Sequence, residues 1–461
     1  MAKPYRLALH IFRRDLRLDD NTSLAHALDL SDQVIPCFIF DKRQIELNDY
    51  KSDNSIQFMA QSLKELDARL RDKHTRLFCF YGIAEQVIQQ LIASEDIQAV
   101  FINRDYTPFS KARDHQIEKT CAAHGVAYHC FADVLLHEPE EIQKPDGGAY
   151  TVFTHFLNKA APMSVQPPRK NKRDNYYQGK LTAEDKSTLE KLSRKQNPVL
   201  AVKGGRKEAL TLLQKACALT DYTLTRDIPS LNGTSRLSAH NKFGTLSIRE
   251  FYFALANQSD KDHALIRELF WRDFFTYIAF HFPRVFGHAF QEKFAHIEWS
   301  RNEKHFRAWC EGRTGFPIVD AGMRELNATG YMHNRARMIT ASFLVKDLHI
   351  DWRWGEKYFA QKLVDYDPAV NNGNWQWAAS TGCDAQPYFR IFNPWLQQKK
   401  FDPDCLYIKR WIPELAAQPP DVIHTLYRQS GALMTNYPHP LVDHAIESGK
   451  AKAVYQLSRS R

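Results

Sequence analysis

The first 130 residues alternate between two hydrophobic periodicities, and this alternation restricts the possible folds more than any other feature. Short apolar or β-branched runs lie at 7–12, 34–40, 77–80, 99–103 and 126–131. Helix-spaced segments separate them, the clearest placing Ile56, Met59, Leu63, Leu66 and Leu70 three and four residues apart. A helical crossover returns the chain to the same edge in the same direction, so the pattern predicts a Rossmann-like α/β domain, a doubly wound parallel sheet with helices on both faces. The glycine-rich turn of a conventional dinucleotide site is missing, because Arg13-Arg14-Asp15-Leu16-Arg17 follows the first strand. That disfavours a nicotinamide dehydrogenase.

From about residue 139 the pattern dissolves. Pro145, Gly147-Gly148, Pro162, Pro167-Pro168 and the basic run Arg169-Lys170-Asn171-Lys172-Arg173 describe a long connector with one short helix near 187–195. The basic run reads as a solvated linker rather than a nucleic-acid contact. Beyond Lys207 the segments at 210–219, 248–255, 265–280, 317–326, 333–348 and 355–364 all carry helical spacing. The expected organisation is an α/β domain at 1–135, a connector at 136–205 and a large all-helical domain at 206–461.

Composition removes several classes. No apolar run approaches the roughly 20 residues that span a bilayer, and the start lacks a secretory signal, so a cytoplasmic protein is expected. The eight cysteines form no Cys-x-x-Cys pair, which argues for reduced thiols and no metal site. A net charge of +9 permits a polyanionic partner, and 9 Trp, 19 Tyr and 29 Phe supply many polarisable rings.

Four segments concentrate chemistry. Thr234, Ser235, Arg236, Leu237 and Ser238 follow Gly233 just before a helix, where hydroxyls, backbone N–H groups and a guanidinium suit phosphate oxygens; an ordinary helix cap is the competing reading. Glu268, Trp271 and Arg272 share a helix face, an arrangement that fits a base pocket; a surface ion pair beside a core indole is the competing reading and, for this helix alone, the favoured one. Asn334, Arg337 and Met338 share another face. The string from Asp365 to Trp377, with two aspartates, paired asparagines and two tryptophans, suits neither helix nor strand and points to a ligand.

Together these segments resemble the DNA photolyase/cryptochrome flavoproteins, closest to bacterial class I cyclobutane pyrimidine dimer photolyases. The resemblance opens with Phe12-Arg13-Arg14-Asp15-Leu16-Arg17-Leu18-Asp19-Asp20-Asn21. It peaks in Thr314-Gly315-Phe316-Pro317 through Arg324 and in Gly330-Tyr331-Met332-His333-Asn334-Arg335-Ala336-Arg337-Met338. It continues through Asn371-Asn372-Gly373-Asn374-Trp375-Gln376-Trp377 to Pro387-Tyr388-Phe389-Arg390-Ile391-Phe392-Asn393-Pro394.

The resemblance implies a helical domain holding folded FAD. Tyr222 and residues 234–238 would hold its phosphate and ribitol side, with Arg272 and Asn334 nearby. Arg337 and Asp365 would pair beside the flavin ring, Asp367 would meet its pyrimidine-like edge, and Asn371 would face N5. It implies light-driven repair by a deoxyribodipyrimidine photolyase, in which excited reduced FAD passes an electron to a flipped-out dimer. Trp271 and Trp377 would wall the lesion pocket, Glu268 would bond to the dimer and Met338 would pack against it. Arg226, Asn334, Arg335 and Gln397 would lie at the DNA. Trp375, Trp352 and Trp299 match the family's tryptophan wire.

Asn334 and Met338 stand where (6-4) photolyases carry histidine. Asn371 stands where plant cryptochromes usually carry aspartate, and the long signalling tail of those proteins is not expected here. The alternative is a blue-light photosensor that binds FAD without repair. In the segment where folate-binding members carry an Asn-Glu pair, this chain has Phe109-Ser110. A second, antenna chromophore is expected, with 5,10-methenyltetrahydrofolate, a deazaflavin, another flavin or an empty site all open. UV-damaged DNA is the expected partner of a monomer.

Overall fold

The computed structural model describes residues 2–185, 187–257, 264–428 and 436–459. Five strands, β1 (Tyr5–Phe12), β2 (Ser31–Asp41), β3 (Phe78–Gly82), β4 (Ala99–Asn103) and β5 (Ala127–Phe131), form one sheet in the order β3-β2-β1-β4-β5. Every neighbouring pair is parallel; Leu9 stands beside Ile35 on one side and Val100 on the other. Strand order reverses between β1 and β4, the switch point where doubly wound sheets open a crevice. Leu7, Leu9 and Ile11 of β1 pack with Val87, Ile88 and Leu91 of the helix Ala84–Ser94 and with Ile117 and Cys121 of the helix Pro108–Ala123. The intervening β1 residues face the other side, as the two-residue period of a strand requires. Helix starts follow local chemistry: the Asn21 side chain accepts from the Leu24 N–H, and Thr107 caps a helix that has Pro108 at its first position.

Compactness groups the chain into two units. One comprises Met1–Pro198, Val202–Ala218 and Ser235–Pro283; the other comprises Val199–Ala201, Leu219–Thr234 and Arg284–Arg461. Segments after 205 therefore pack with the sheet. Buried ion pairs explain why. Arg17 pairs with Asp133 at 2.5 Å and donates to the Gly244 carbonyl, while Arg249 reaches both Asp20 and Asp133.

The connector is more ordered than its composition suggests. It carries a 3₁₀ turn, Pro139–Glu141, and the helix Phe153–Ala160, neither anticipated, besides the short helix Thr188–Leu192. The prolines and glycines around Phe153–Ala160 hid a usable signal, Phe153, Phe156 and Ala160 on one buried face. The basic run is a strap: the Arg169 N–H donates to Asp20, the Asn171 N–H to Asp19, and Arg173 pairs with Asp29.

The second unit is built on helices around a core that includes Trp309, Phe316, Phe343, Trp352, Phe359 and Trp375. The polar residues late in the helix Asn334–Lys346 are buried with partners rather than turned to a ligand. Lys346 donates to Ser380 Oγ at 2.9 Å, and the following Asp347 meets His444 at 2.5 Å. Among the described residues no helix is long and apolar enough to cross a membrane, and no cluster of His, Cys, Asp or Glu has metal-site geometry.

Candidate functional site

The singled-out residues fall in both compact units. In the first, Glu268, Trp271 and Arg272 lie on the helix Ala264–His281, all half-buried. Trp271 stacks face to face on Phe153, meets Phe274 edge-on and lies against a tilted Phe275. Arg272 is engaged locally, donating to the Val134 carbonyl and to Asp273 Oδ1, both at 2.9 Å. Burial pushes the Asp273 carboxyl up to about 6, against the opposing pull of Arg272.

Ser235 to Ser238 form a turn whose hydroxyls are not spent on capping. The helix Ser238–Phe243 has Leu237 at its N-cap and no side-chain cap bond. Ser235 Oγ instead accepts from the Leu237 N–H at 3.4 Å, and Arg236 sits at φ +52°, a left-handed conformation that non-glycine residues rarely adopt. The ordinary-cap reading of this segment therefore fails.

In the second unit Tyr222 is buried, with the Arg226 guanidinium 5.7 Å from its ring centre. Gly233, just before Thr234, is pressed against Thr225, where a Cβ would collide. Asn334 opens its helix on the exposed surface, and Arg337 and Met338, half-buried, follow at the spacing that shares its face. Arg335 is committed, pairing with Asp227 at 2.8 Å and lying over the Phe401 ring at 4.3 Å. Arg337 grips Asp365 with both terminal nitrogens, at 3.3 and 2.9 Å, and anchors Nε on the Met332 carbonyl. That bidentate pair leaves the guanidinium plane fixed.

From Pro368 onward the string 365–377 is a helix, contrary to the expectation of irregular structure. Asp367 is the N-cap, its Oδ1 accepting from Ala369 and Val370 N–H, and Pro368 takes the first turn of Pro368–Ala378. Asp-Pro is a helix-start signal that the unusual composition obscured. Much of the polarity is internal. Asn372 Nδ2 donates to Val285 O and Glu356 Oε1, while Gln376 Nε2 donates to Val285 O, His288 O and Asn372 Oδ1.

Asn371 differs from these two. Its Nδ2 donates to the Glu356 backbone carbonyl at 3.1 Å, so the carbonyl oxygen is the group it has to offer. Glu356 thus steers Asn371 through its backbone and Asn372 through its carboxyl. Burial pushes that carboxyl up to about 7, with Asn372 pulling the other way. No spacing rule in the sequence marks Glu356.

Trp375 and Trp352 are 2% exposed, whereas Trp299 is partly buried. Trp375 presses on Gly355, where any Cβ would collide with its ring, and Trp352 lies three residues from Gly355 on the same helix, Trp352–Lys362. Ser300, next to Trp299, donates to the His349 carbonyl at 2.7 Å and pairs with Ile350, two residues before Trp352. Trp375 and Trp352 lie in one hydrophobic core, and Trp299 packs against that core. Trp377 is half-buried and 6.4 Å from Phe392. Gln397 lies on the helix Pro394–Phe401, half-buried.

Comparison with known proteins fits this layout. The family model described as DNA photolyase matches residues 8–172, and that of the FAD binding domain of DNA photolyase matches 265–457. The deoxyribodipyrimidine photo-lyase of Alkalihalophilus pseudofirmus is 36% identical, covering 96% of this chain and 97% of its own. That of Escherichia coli is also 36% identical, covering 97% and 98%. Among solved structures, an archaeal photolyase from Sulfolobus tokodaii with two FAD molecules is 44% identical with a TM-score of 0.89, covering 98% of this chain and all of that one. A class III photolyase from Agrobacterium tumefaciens is 35% identical with a TM-score of 0.93, covering 100% and 99%. Two family models that tile most of the sequence, and relatives this similar over nearly their whole length, establish that the chain belongs to the DNA photolyase family.

Proposed function

We propose that the protein is a deoxyribodipyrimidine photolyase that repairs cyclobutane pyrimidine dimers in UV-damaged DNA with light. Reduced FAD, when bound, would supply a light-absorbing electron donor for dimer opening, to which the electron comes back once the ring has opened. The observation that carries the reading is the orientation of Asn371. With its nitrogen on the Glu356 carbonyl, it offers an oxygen able to accept from the N–H of a reduced flavin ring. The other polar groups fit the same cofactor. The bidentate Arg337–Asp365 pair suits the flank of a flavin, and Asp367, fixed as an N-cap, suits an imide N–H. Ser235 to Ser238 and Arg272 in the first unit, and Tyr222, Thr234 and Asn334 in the second, are groups of the kind that hold phosphates and ribitol.

The remaining residues handle the DNA. In the first unit Trp271 offers a flat face to a flipped dimer and Glu268 hydrogen-bonds to it; in the second, Trp377 and Met338 offer it apolar surface. Flipping costs less for a dimer than for intact bases because fused pyrimidines stack poorly, and this favours lesions. Arg226, Asn334, Arg335 and Gln397 lie at the strand, with Arg335 held by Asp227 and Phe401. Trp375, Trp352 and Trp299 carry electrons between flavin and surface. The sheet domain, 1–135, holds an antenna. Phe109 has the guanidinium groups of Arg43 and Arg113 at 5.3 and 5.8 Å, and Ser110 is bonded to Asp105, so this segment lacks the amide and carboxylate that folate-binding members carry. The two flavins of the Sulfolobus relative favour a flavin as the antenna. The protein works in the cytoplasm as a monomer.

The decisive experiment illuminates the purified, reduced holoenzyme with an oligonucleotide carrying one thymine dimer. Light-dependent loss of the dimer is expected, with Glu268→Ala lowering repair yield more than DNA affinity. Flavin photochemistry without dimer loss would make the protein a photosensor instead.

A further inference from the structure

Phe153 opens the helix Phe153–Ala160, in the stretch whose composition suggests a mere connector, and is 1% exposed. Its ring lies against the Trp271 indole with centroids 3.6 Å apart and planes within 9°. Aromatic pairs left to themselves prefer offset or edge-on contacts, so the surroundings impose this near-eclipsed overlap. Those surroundings are dense. Phe274 meets Phe153 edge-on at 5.7 Å, and the Arg267 guanidinium lies 5.1 Å from its ring centre. The Tyr277 hydroxyl accepts from the Tyr150 N–H and donates to the Ile142 carbonyl, binding the chain just before Phe153 to the same helix as Trp271.

We infer that Phe153 is a positioning residue for lesion recognition: it holds the Trp271 indole in the one orientation that receives a flipped-out pyrimidine dimer. The inference rests on Trp271 walling the lesion pocket. A half-buried indole without such a backing samples several rotamers, and a ligand must then pay to order it. Phe153 removes that cost before DNA arrives. The connector is thereby part of the recognition apparatus, although Phe153 itself touches no substrate.

The test titrates reduced holoenzyme in the dark with a dimer-containing oligonucleotide and with its undamaged copy. Phe153→Leu is expected to weaken dimer binding about three- to tenfold, the range of one aromatic stack. Affinity for undamaged DNA and FAD content should not change. Phe153→Tyr should restore dimer binding, and Phe153→Leu should have no further effect in a Trp271→Ala background. Should Phe153→Leu fail to fold, Phe153→Met takes its place in the same titrations. Undiminished dimer affinity, equal weakening for both DNAs, failed rescue by tyrosine or additivity with Trp271→Ala would each overturn the inference. Failure of the repair reading itself would show separately, as wild-type enzyme with no preference for the dimer and no dimer loss in light.

Discussion

The helix Ala264–His281 is clamped by rings, whereas Pro368–Ala378 is clamped by amides. On the first, Phe274 and Tyr277 pack against Phe156 at 5.3 and 5.1 Å, and Trp271 rests on Phe153. On the second, Gln376 and Asn372 satisfy the carbonyls of Val285 and His288, and Gln376 Oε1 accepts from the Phe290 N–H. Ring packing has only soft orientational preferences and tolerates replacements that conserve volume. A buried amide network is directional, and one lost partner strands the others at low dielectric. The two helices thus suit different tasks. A base pocket needs flat walls, while a cofactor contact such as Asn371 needs an oxygen aimed one way.

The largest effect is expected where charge joins the directional network. Arg337→Met leaves the Asp365 carboxylate buried without its guanidinium, and urea denaturation should show a loss of about 3 kcal/mol together with loss of flavin absorbance. A loss below about 1 kcal/mol would mean that water screens the pair and that hydrogen bonds alone hold this region.

Glu356 gives the same region a pH signature. The unfolded carboxyl loses its proton near 4.5, while burial keeps the folded one protonated up to about 7. Between those values the unfolded state binds fewer protons, so stability falls as pH rises, by about 3 kcal/mol in all. Asp273 and Asp320, both pushed up to about 6 by burial, add a fall that ends about one unit lower. Glu356→Gln should therefore flatten the melting temperature between pH 6 and 8 while leaving the decline below pH 6. An unchanged profile above pH 6 would show that Glu356 is ionised in the fold.

A matched pair of substitutions tests the comparison itself. Gln376→Leu should cost about 2 kcal/mol, because the Phe290 N–H loses its acceptor and the Val285 and His288 carbonyls lose a donor. Phe274→Leu, an apolar exchange among rings, should cost about 1 kcal/mol. Equal costs by urea titration would erase the distinction between the two clamps.

The sheet was legible because buried parallel strands are short apolar runs, and 99–103 coincides with β4. The helix 264–281 was legible from its spacing. The helix 368–378 was misjudged because its polar residues bond inward, to carbonyls at 285 and 288 that lie far off in sequence. Asn371, Asn372 and Gln376 look alike in sequence, and only their partners separate the amide that offers an oxygen from the two that build the scaffold. Arg272 was singled out by spacing and Arg335 by the family resemblance, yet neither foretells Asp227, Phe401 or the Val134 carbonyl as their partners. The grouping of 235–283 with the sheet likewise depends on a hydrogen bond from Arg17 to the Gly244 carbonyl and on ion pairs from Arg249 to Asp20 and Asp133, all spanning more than 100 residues.

The smallest effect on stability belongs to the most discriminating substitution. Asp367 caps Pro368–Ala378 with one oxygen shared by two N–H groups, and asparagine caps nearly as well. Asp367→Asn should thus lower the apoprotein's melting free energy by only about 0.5 kcal/mol, from the lost charge at the helix N-terminus. Flavin binding should suffer more, because a carboxylate accepts an imide N–H with charge assistance and an amide accepts it without. The apparent FAD dissociation constant, followed by flavin fluorescence, should rise about tenfold. Equal flavin affinity in the two proteins would make Asp367 a helix cap alone, and would shift the burden of orienting the ring to Asn371 and the Arg337–Asp365 pair.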